Sequence, residues 1–243
     1  MPRLDQLLVE RRHYRTRSRA RDAIARGRIR VEGQVAVKAG QTVPGDVAIE
    51  IADEAQNYVS RAALKLAHGL DHFAISPQGL TALDLGASTG GFTQVLLERG
   101  ARTVTAVDVG HSQMASEVAG DPRVTVLEGL NARAIGPQHV PEPPGIVTAD
   151  VSFISLKLAL PPALALARPG ARLVALIKPQ FEAGPAQTSK GGVVRDRQVH
   201  VAVCRDIAEW LEDTMNWRVI GTTPSPVTGG SGNREFIIAA HKP

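Results

Sequence analysis

The chain has 243 residues, enough to bury a substantial core and still carry a small second domain. Hydrophobic residues make up 43% and charged residues 21%, the balance of a folded globular protein rather than a disordered or fibrous one. One cysteine, Cys204, excludes an internal disulfide and fits a reducing compartment. The most apolar run, Leu158 to Ala167, is about half of the ~20 residues a membrane helix needs and contains Pro161 and Pro162. The arginine-rich start lacks the apolar stretch of a secretory signal, so a cytoplasmic protein with no membrane partner is expected.

Ten arginines fall in residues 1–30 against Asp5, Glu10 and Asp22, a net of +7, which leaves −3 on the rest of a chain whose total is +4. A charge run by itself is commonly a solvated face. Here the residues between the charges follow a folding pattern. Leu4, Leu7 and Leu8 make a helical stripe; Ser18 can cap a second helix carrying Ala20, Ala23 and Ile24, and Gly27 can end it. Strands are predicted at Ile29 and Val31, at Val35 and Val37 after a turn at Glu32-Gly33, and at Val47 to Ile51. The sequence RLDQLLVERRHYRTRSRARDAIARGRIRVEGQVAVKAG resembles the αL-type RNA-binding module of the S-four fold, over about the first 55 residues. That resemblance implies phosphate contacts by Arg3, Arg17, Arg19, Arg21 and Arg28, with Arg61 a further candidate beyond the module. With Tyr14 and Tyr58 as the aromatics at hand, the expectation is binding to phosphates and to the shape of a structured RNA rather than base stacking. A polar stretch, Ala52 to Asn57, sets the expected domains at 1–57 and 58–243.

The segment YVSRAALKLAHGL reads as a helix, with Ser60 a candidate cap and Lys65 on it. The stretch ALDLGASTGGFT follows: an apolar strand ending in an acid, a glycine-rich turn, then a helix with Phe92, Val95 and Leu96 on one face and a stop at Gly100. A second strand, Thr103 to Val107, ends in Asp108, where a βαβ unit places an acid for ribose hydroxyls. Gly86, Gly90 and Gly91 read G-x-x-x-G-G and depart from the dinucleotide pattern G-x-G-x-x-G. A turn of this kind also serves plain packing. The spacing resembles the first motif of S-adenosylmethionine-dependent methyltransferases. The resemblance implies cofactor contacts by Asp84, Gly86, Ala87, Ser88, Gly90, Gly91, Asp108, Val109 and Asn131.

Further strands are predicted at Leu80 to Leu85, Val124 to Leu127, Ile146 to Ala149, Leu173 to Ile177, Arg218 to Thr222 and Phe236 to Ala240. This is an α/β, doubly wound, seven-stranded pattern preceded by a small α+β domain. The loop Pro224 to Asn233 is too short for a helical crossover, so the last strand is expected to run backwards. Asp150, Lys178 and Glu235 then reach one edge of the sheet. Singly, each has a plainer reading: Lys65 as a solvated helix residue, Asp150 as a turn residue, Glu235 as a loop charge. Lys178 ends an apolar run and precedes a proline, which favours an extended conformation. His68 and His72 lack the acid and further ligands of a zinc site, so no metal is expected, and Cys204 reads as a structural cysteine. The segment Gly184 to Gly192 reads as a lid or a plain connection.

In order, Lys65, Asp150, Lys178 and Glu235 match the K-D-K-E tetrad of FtsJ-like ribose 2′-O-methyltransferases. With ADVSFISL, IKPQFEAG, KGGVVRD and SGNREF also present, the chain resembles the TlyA family over its whole length. The loop reads AST after Gly86 where many FtsJ-like loops read AAPGG. The resemblance implies S-adenosylmethionine as cofactor, ribosomal RNA or a ribosomal subunit as partner, and a cytidine ribose as target, with Lys178 as base or hydroxyl-orienting group. The chain is short at both ends for the family, which favours a large-subunit site. Two other functions compete: a haemolytic, membrane-active protein, a label the family also carries, and a non-catalytic ribosome-assembly factor.

Overall fold

The computed structural model describes residues 1–184, 187–188, 191–229 and 232–243, so parts of the 184–192 segment and the motif residues Lys190 and Ser231 lie outside the described residues. The chain divides into two compact units, Met1–Asn57 and Tyr58–Pro243.

In the first unit, α1 (Leu4–Glu10) and α2 (Arg17–Ala25) bury Leu4, Leu7, Leu8, Ala20, Ala23 and Ile24 against one another. The cap of α2 is Thr16, whose hydroxyl accepts from the Arg19 amide; Ser18 falls inside the first turn instead of before it. Gly27 follows the helix with a φ of +69°, the left-handed conformation a helix stop requires. A three-stranded antiparallel sheet runs in the order β2 (Gln34–Val35), β1 (Ile29–Val31), β3 (Ile49–Ile51). Both outer strands are shorter than the alternation of valines suggests, and Val37 is exposed. The reason is helix satisfaction: the carbonyls of Ala39 and Gln41 accept from the first amides of α1, Asp5 and Leu4, so the chain leaves the sheet after Ala36. Val47 lies in the core, but its carbonyl accepts from Arg11 instead of continuing a strand. Asp53 closes the unit, accepting from Arg26 at 2.9 and 3.0 Å and from the Tyr14 hydroxyl at 2.9 Å.

The second unit holds a seven-stranded sheet in the order β6 (Val124–Glu128), β5 (Thr103–Asp108), β4 (Thr81–Leu85), β7 (Ile146–Ala149), β8 (Arg172–Ile177), β10 (Phe236–His241), β9 (Arg218–Pro224). The pairs from β6 to β8 are parallel, and β10 is antiparallel to both its neighbours. Helices α3 (Ala62–His72) and α4 (Gly91–Glu98) cover one face through Leu66, Leu70, Val95 and Leu96. The other face carries α6 (Leu156–Ala159), α7 (Pro161–Leu166) and α9 (Arg197–Asp213), while α5 (Ser116–Ala119) and α8 (Pro179–Glu182) are single turns. Ser60 does not cap α3: that position is Arg61, and no side chain accepts there.

Asp84 is the one charged side chain on β4, and it is fully buried. Its carboxylate accepts from Thr93 on α4 at 2.7 Å and from Thr148 on β7 at 2.8 Å, tying strand, helix and neighbouring strand. Burial pushes its pKa up to about 6, against the two threonine hydrogen bonds that favour the charge. A raised value means the folded state prefers the neutral acid, so this contribution to stability is complete below ~4 and is lost as pH rises through 6. Asp84→Asn keeps the shape and is expected to be more stable than the parent at pH 8 and to lose that advantage by pH 4. Asp84→Ala, which leaves both threonines unpaired, is expected to cost ~1–3 kcal/mol per unmet bond. Urea unfolding of the three proteins at both pH values reads this; an Asn variant less stable than the parent at pH 8 contradicts it.

Candidate active site

A cavity of about 860 Å³ opens at the carboxyl ends of the parallel strands, within the range of small-molecule sites. Its wall on the β4–β5 side includes Gly86, Ser88, Asp108, Val109 and Asn131. Asp108 caps the end of β5, where one carboxylate oxygen accepts from the Ser88 amide at 2.8 Å and the other from the Gly110 amide at 2.7 Å. A carboxylate offers about four acceptor positions, so two remain for a pair of ligand hydroxyls. Ser88, at φ +46°, turns its hydroxyl to Gln113 at 3.0 Å, a cavity residue that sequence reasoning missed. Glu128 holds that next loop by accepting from the Ser112 and Gln113 amides, and these donors keep its carboxyl below the usual range. The Asn131 side chain accepts from the Arg133 amide at 3.0 Å and so starts the turn that follows β6.

Four of the residues expected to hold a cofactor do not line the cavity. Asp84 lies in the core beneath the loop, Ala87 is buried, and Gly90 and Gly91 begin α4. The glycines answer to packing. Gly86, at φ +77°, passes so close to the strand end of β7 that a Cβ there would lie 2.6 Å from the Asp150 carbonyl. A Cβ on Gly91 would collide with the Ser60 hydroxyl and lie 3.2 Å from the Ala63 amide, so this glycine lets α4 approach the start of α3. The glycine pattern therefore seats the two elements that carry Asp150 and Lys65.

Strand reversal brings the remaining charges together. Phe236 pairs with Ile177, so Glu235 and Lys178 leave adjacent strands at the same end of the sheet. The four tetrad candidates form two close pairs: Lys65 to Glu235 at 2.5 Å and Lys178 to Asp150 at 2.6 Å. Lys65, Lys178 and Glu235 are each less than a tenth exposed and do not line the cavity; Lys178 reaches it through its contacts with the wall residues Asp150 and Ser152. Lys178 donates to the Ser152 hydroxyl at 2.8 Å, whereas the buried Oδ1 of Asp150 lies against the ammonium without an aligned hydrogen bond. Gly229 backs Glu235 so closely that a Cβ would overlap its carboxylate. Asn233 holds the flanking loops, accepting from the Val194 amide and donating to the Gly192 carbonyl.

Ser152, Phe153, Phe181 and Glu182 also escaped sequence reasoning, although all sit in the quoted motifs ADVSFISL and IKPQFEAG. Phe153 is 91% exposed with φ +63°, and its ring tilts against Phe181 at 5.1 Å in the cavity wall. Glu182 accepts from the Ser155 hydroxyl and the Leu156 amide, so it fixes the loop that carries Ser152 and Phe153; burial raises its pKa against these bonds.

Among the described residues no group of His, Cys, Asp and Glu could hold a metal ion. His68 and His72 stack on one another, and Cys204 lies half-buried on α9 with its thiol pushed up to about 11 by burial. In the first unit, Arg3, Arg17 and Arg21 surround Asp5, Arg19 donates to the Ala55 carbonyl at 2.6 Å, and Arg28 is exposed. Arg61 belongs to the second unit, at the start of α3.

Comparison with known proteins gives these features a family. Residues 58–242 match the model of the FtsJ-like methyltransferases, and residues 2–49 match the S4 domain. The 16S/23S rRNA (cytidine-2′-O)-methyltransferase TlyA of Mycobacterium tuberculosis is 42% identical over 97% of this chain and 88% of its own length. Hemolysin A of Brachyspira hyodysenteriae is 35% identical over 97% of this chain and 98% of its own. A solved structure described as a haemolysin from Streptococcus thermophilus superposes with a TM-score of 0.79 at 36% identity, covering 99% of this chain and 88% of that one. The chain belongs to the TlyA family, methyltransferases that join an S4 domain to an FtsJ-like domain.

Proposed function

We propose that this protein methylates the 2′-hydroxyl of a cytidine ribose in large-subunit ribosomal RNA, with S-adenosylmethionine as donor. The observation that carries the reading is one cavity with two chemically different walls. On one side Asp108 keeps acceptor positions for a ribose diol; on the other, Asp150 and Ser152 present the buried Lys178. The identity to relatives named as rRNA (cytidine-2′-O)-methyltransferases supports the substrate class.

Bound in this cavity, S-adenosylmethionine supplies an electrophilic methyl group on a sulfonium. The chain's own task is then to hold and activate a weak nucleophile, the ribose hydroxyl. Lys178 is fixed from two sides, by Asp150 and by Ser152, so its Nζ presents one orientation to the hydroxyl: as the ammonium it orients the oxygen, and only as the neutral amine does it take the proton that the oxygen gives up as the oxygen–methyl bond forms. Lys65 and Glu235 neutralise each other beside it, which lets two more charges stay buried at the site. The basic first unit supplies phosphate contacts that position the RNA without reading its sequence. No helix among the described residues is long and apolar enough to cross a membrane.

Two measurements test the two walls separately. Asp108→Ala is expected to weaken S-adenosylmethionine binding by ~1.5–3 kcal/mol by calorimetry, since hydrogen bonds to a charged group are worth about that much. Undiminished affinity in that variant contradicts the ribose assignment. Lys178→Ala is expected to bind the cofactor as the parent does yet lose methyl transfer by ~10²-fold or more, followed with labelled cofactor and mapping of 2′-O-methyl cytidine in large-subunit RNA. Full activity of that variant, or label on a base rather than a ribose, overturns the reading.

A further inference from the structure

The first unit concentrates positive charge, yet its most buried charged group is an acid. Asp5, with no exposed surface, accepts from Arg3 Nε at 3.2 Å, from Arg17 at 2.9 and 3.3 Å, and pairs with Arg21 Nε at 3.4 Å. One guanidinium would neutralise it. Three surround it, leaving a local charge of +2 on side chains that stay 42%, 48% and 59% exposed. Burial disfavours the charged carboxylate, but the hydrogen bonds from Arg17 and Arg3 outweigh that and hold its pKa below the usual range.

The three cations come from places that would not otherwise hold them together. Arg17 and Arg21 stand one turn apart on α2, where like charges repel. Arg3 precedes α1, bridges Thr42 in backbone, and lays its guanidinium against Gly40, where a Cβ would lie 2.8 Å from it. Each guanidinium has five N–H donors; Asp5 takes one from Arg3 and two from Arg17 and ion-pairs with Arg21, so donors remain on each for anions. Arginine side chains are costly to order, and a seat whose arginines are ordered by folding binds anions with less loss of freedom.

We propose that Asp5 is a positioning residue for RNA binding: the buried carboxylate gathers Arg3, Arg17 and Arg21 into one preformed seat for backbone phosphates. The proposal rests on the RNA-binding reading of the first unit. It has a sign that simple charge counting does not. Removing an acid from a basic surface should tighten binding to a polyanion by Coulomb attraction alone; removing this one should loosen it, because the arginines disperse.

The test uses the full chain, a large-subunit ribosomal RNA transcript and a salt series, with thermal unfolding and hydrogen exchange of α1 and α2 alongside. Asp5→Asn is expected to bind ~3- to 10-fold more weakly than the parent, with the slope of log K against log salt reduced by ~0.7–0.9 for each phosphate the arginines no longer neutralise. Equal or tighter binding by a folded Asp5→Asn protein overturns the proposal while leaving the RNA reading intact. If α1 and α2 lose their exchange protection in that variant, Arg21→Gln decides, since it leaves the buried acid with Arg17 and Arg3: a slope lower by ~0.7–0.9 supports the seat, and an unchanged slope overturns it. A parent chain that binds no ribosomal RNA overturns both readings together.

Discussion

The insertion of β10 between β8 and β9, against the direction of the other strands, is the constraint on which the site depends. A strand entering in parallel would deliver Glu235 to the opposite end of the sheet from Lys178. Because β10 runs backwards and Phe236 pairs with Ile177, both residues leave the sheet at the edge where β4, β5 and β7 also end. Two lysines and two carboxylates can stay in so buried a place only as pairs, since an unpaired charge there would carry a large desolvation cost. The chain order of the four residues is scattered; the topology makes them neighbours.

Close backbone approach does the rest. Gly86 leaves room for the Asp150 carbonyl, Gly91 for the start of α3, and Gly229 for the Glu235 carboxylate. Each of these glycines stands beside an element that carries one of the tetrad residues. The glycine-rich loop is thus a spacer between the elements that carry the tetrad candidates.

Strands β4, β5, β7, β8 and β10 of the large sheet were legible as apolar runs, and the reversal of the last one followed from a loop too short for a crossover. The tetrad candidates were legible through family likeness, while their pairing was not: nothing in the spacing says that Lys65 meets Glu235 and Lys178 meets Asp150. Asp84 looked like a ligand residue because it ends a strand before a glycine turn. Its hydrogen-bond partners in the structure, Thr93 and Thr148, lie 9 and 64 residues away, and only packing reveals them. Ser18 and Ser60 each satisfied the local rule for a helix cap, yet Thr16 and Arg61 take those places. Strand β2 of the first unit ended early for a similar reason: the amides of α1 needed the carbonyls of Ala39 and Gln41.

The loops around the cavity share a mode of attachment. Asp108, Glu128 and Glu182 each accept from a backbone amide of a loop that another strand or helix sends out, Ser88, Ser112 with Gln113, and Leu156 respectively, and Asp108 also from Gly110 of the loop after its own strand. Side-chain carboxylates therefore staple the rim alongside loop-to-loop contacts such as that of Ser88 with Gln113. The entropy lost in ordering these loops belongs to folding and not to capture of a ligand. In such a protein affinity and stability are coupled through the same few acids, so random substitutions that loosen the rim would surface in a screen as ligand-binding defects even where they touch no ligand.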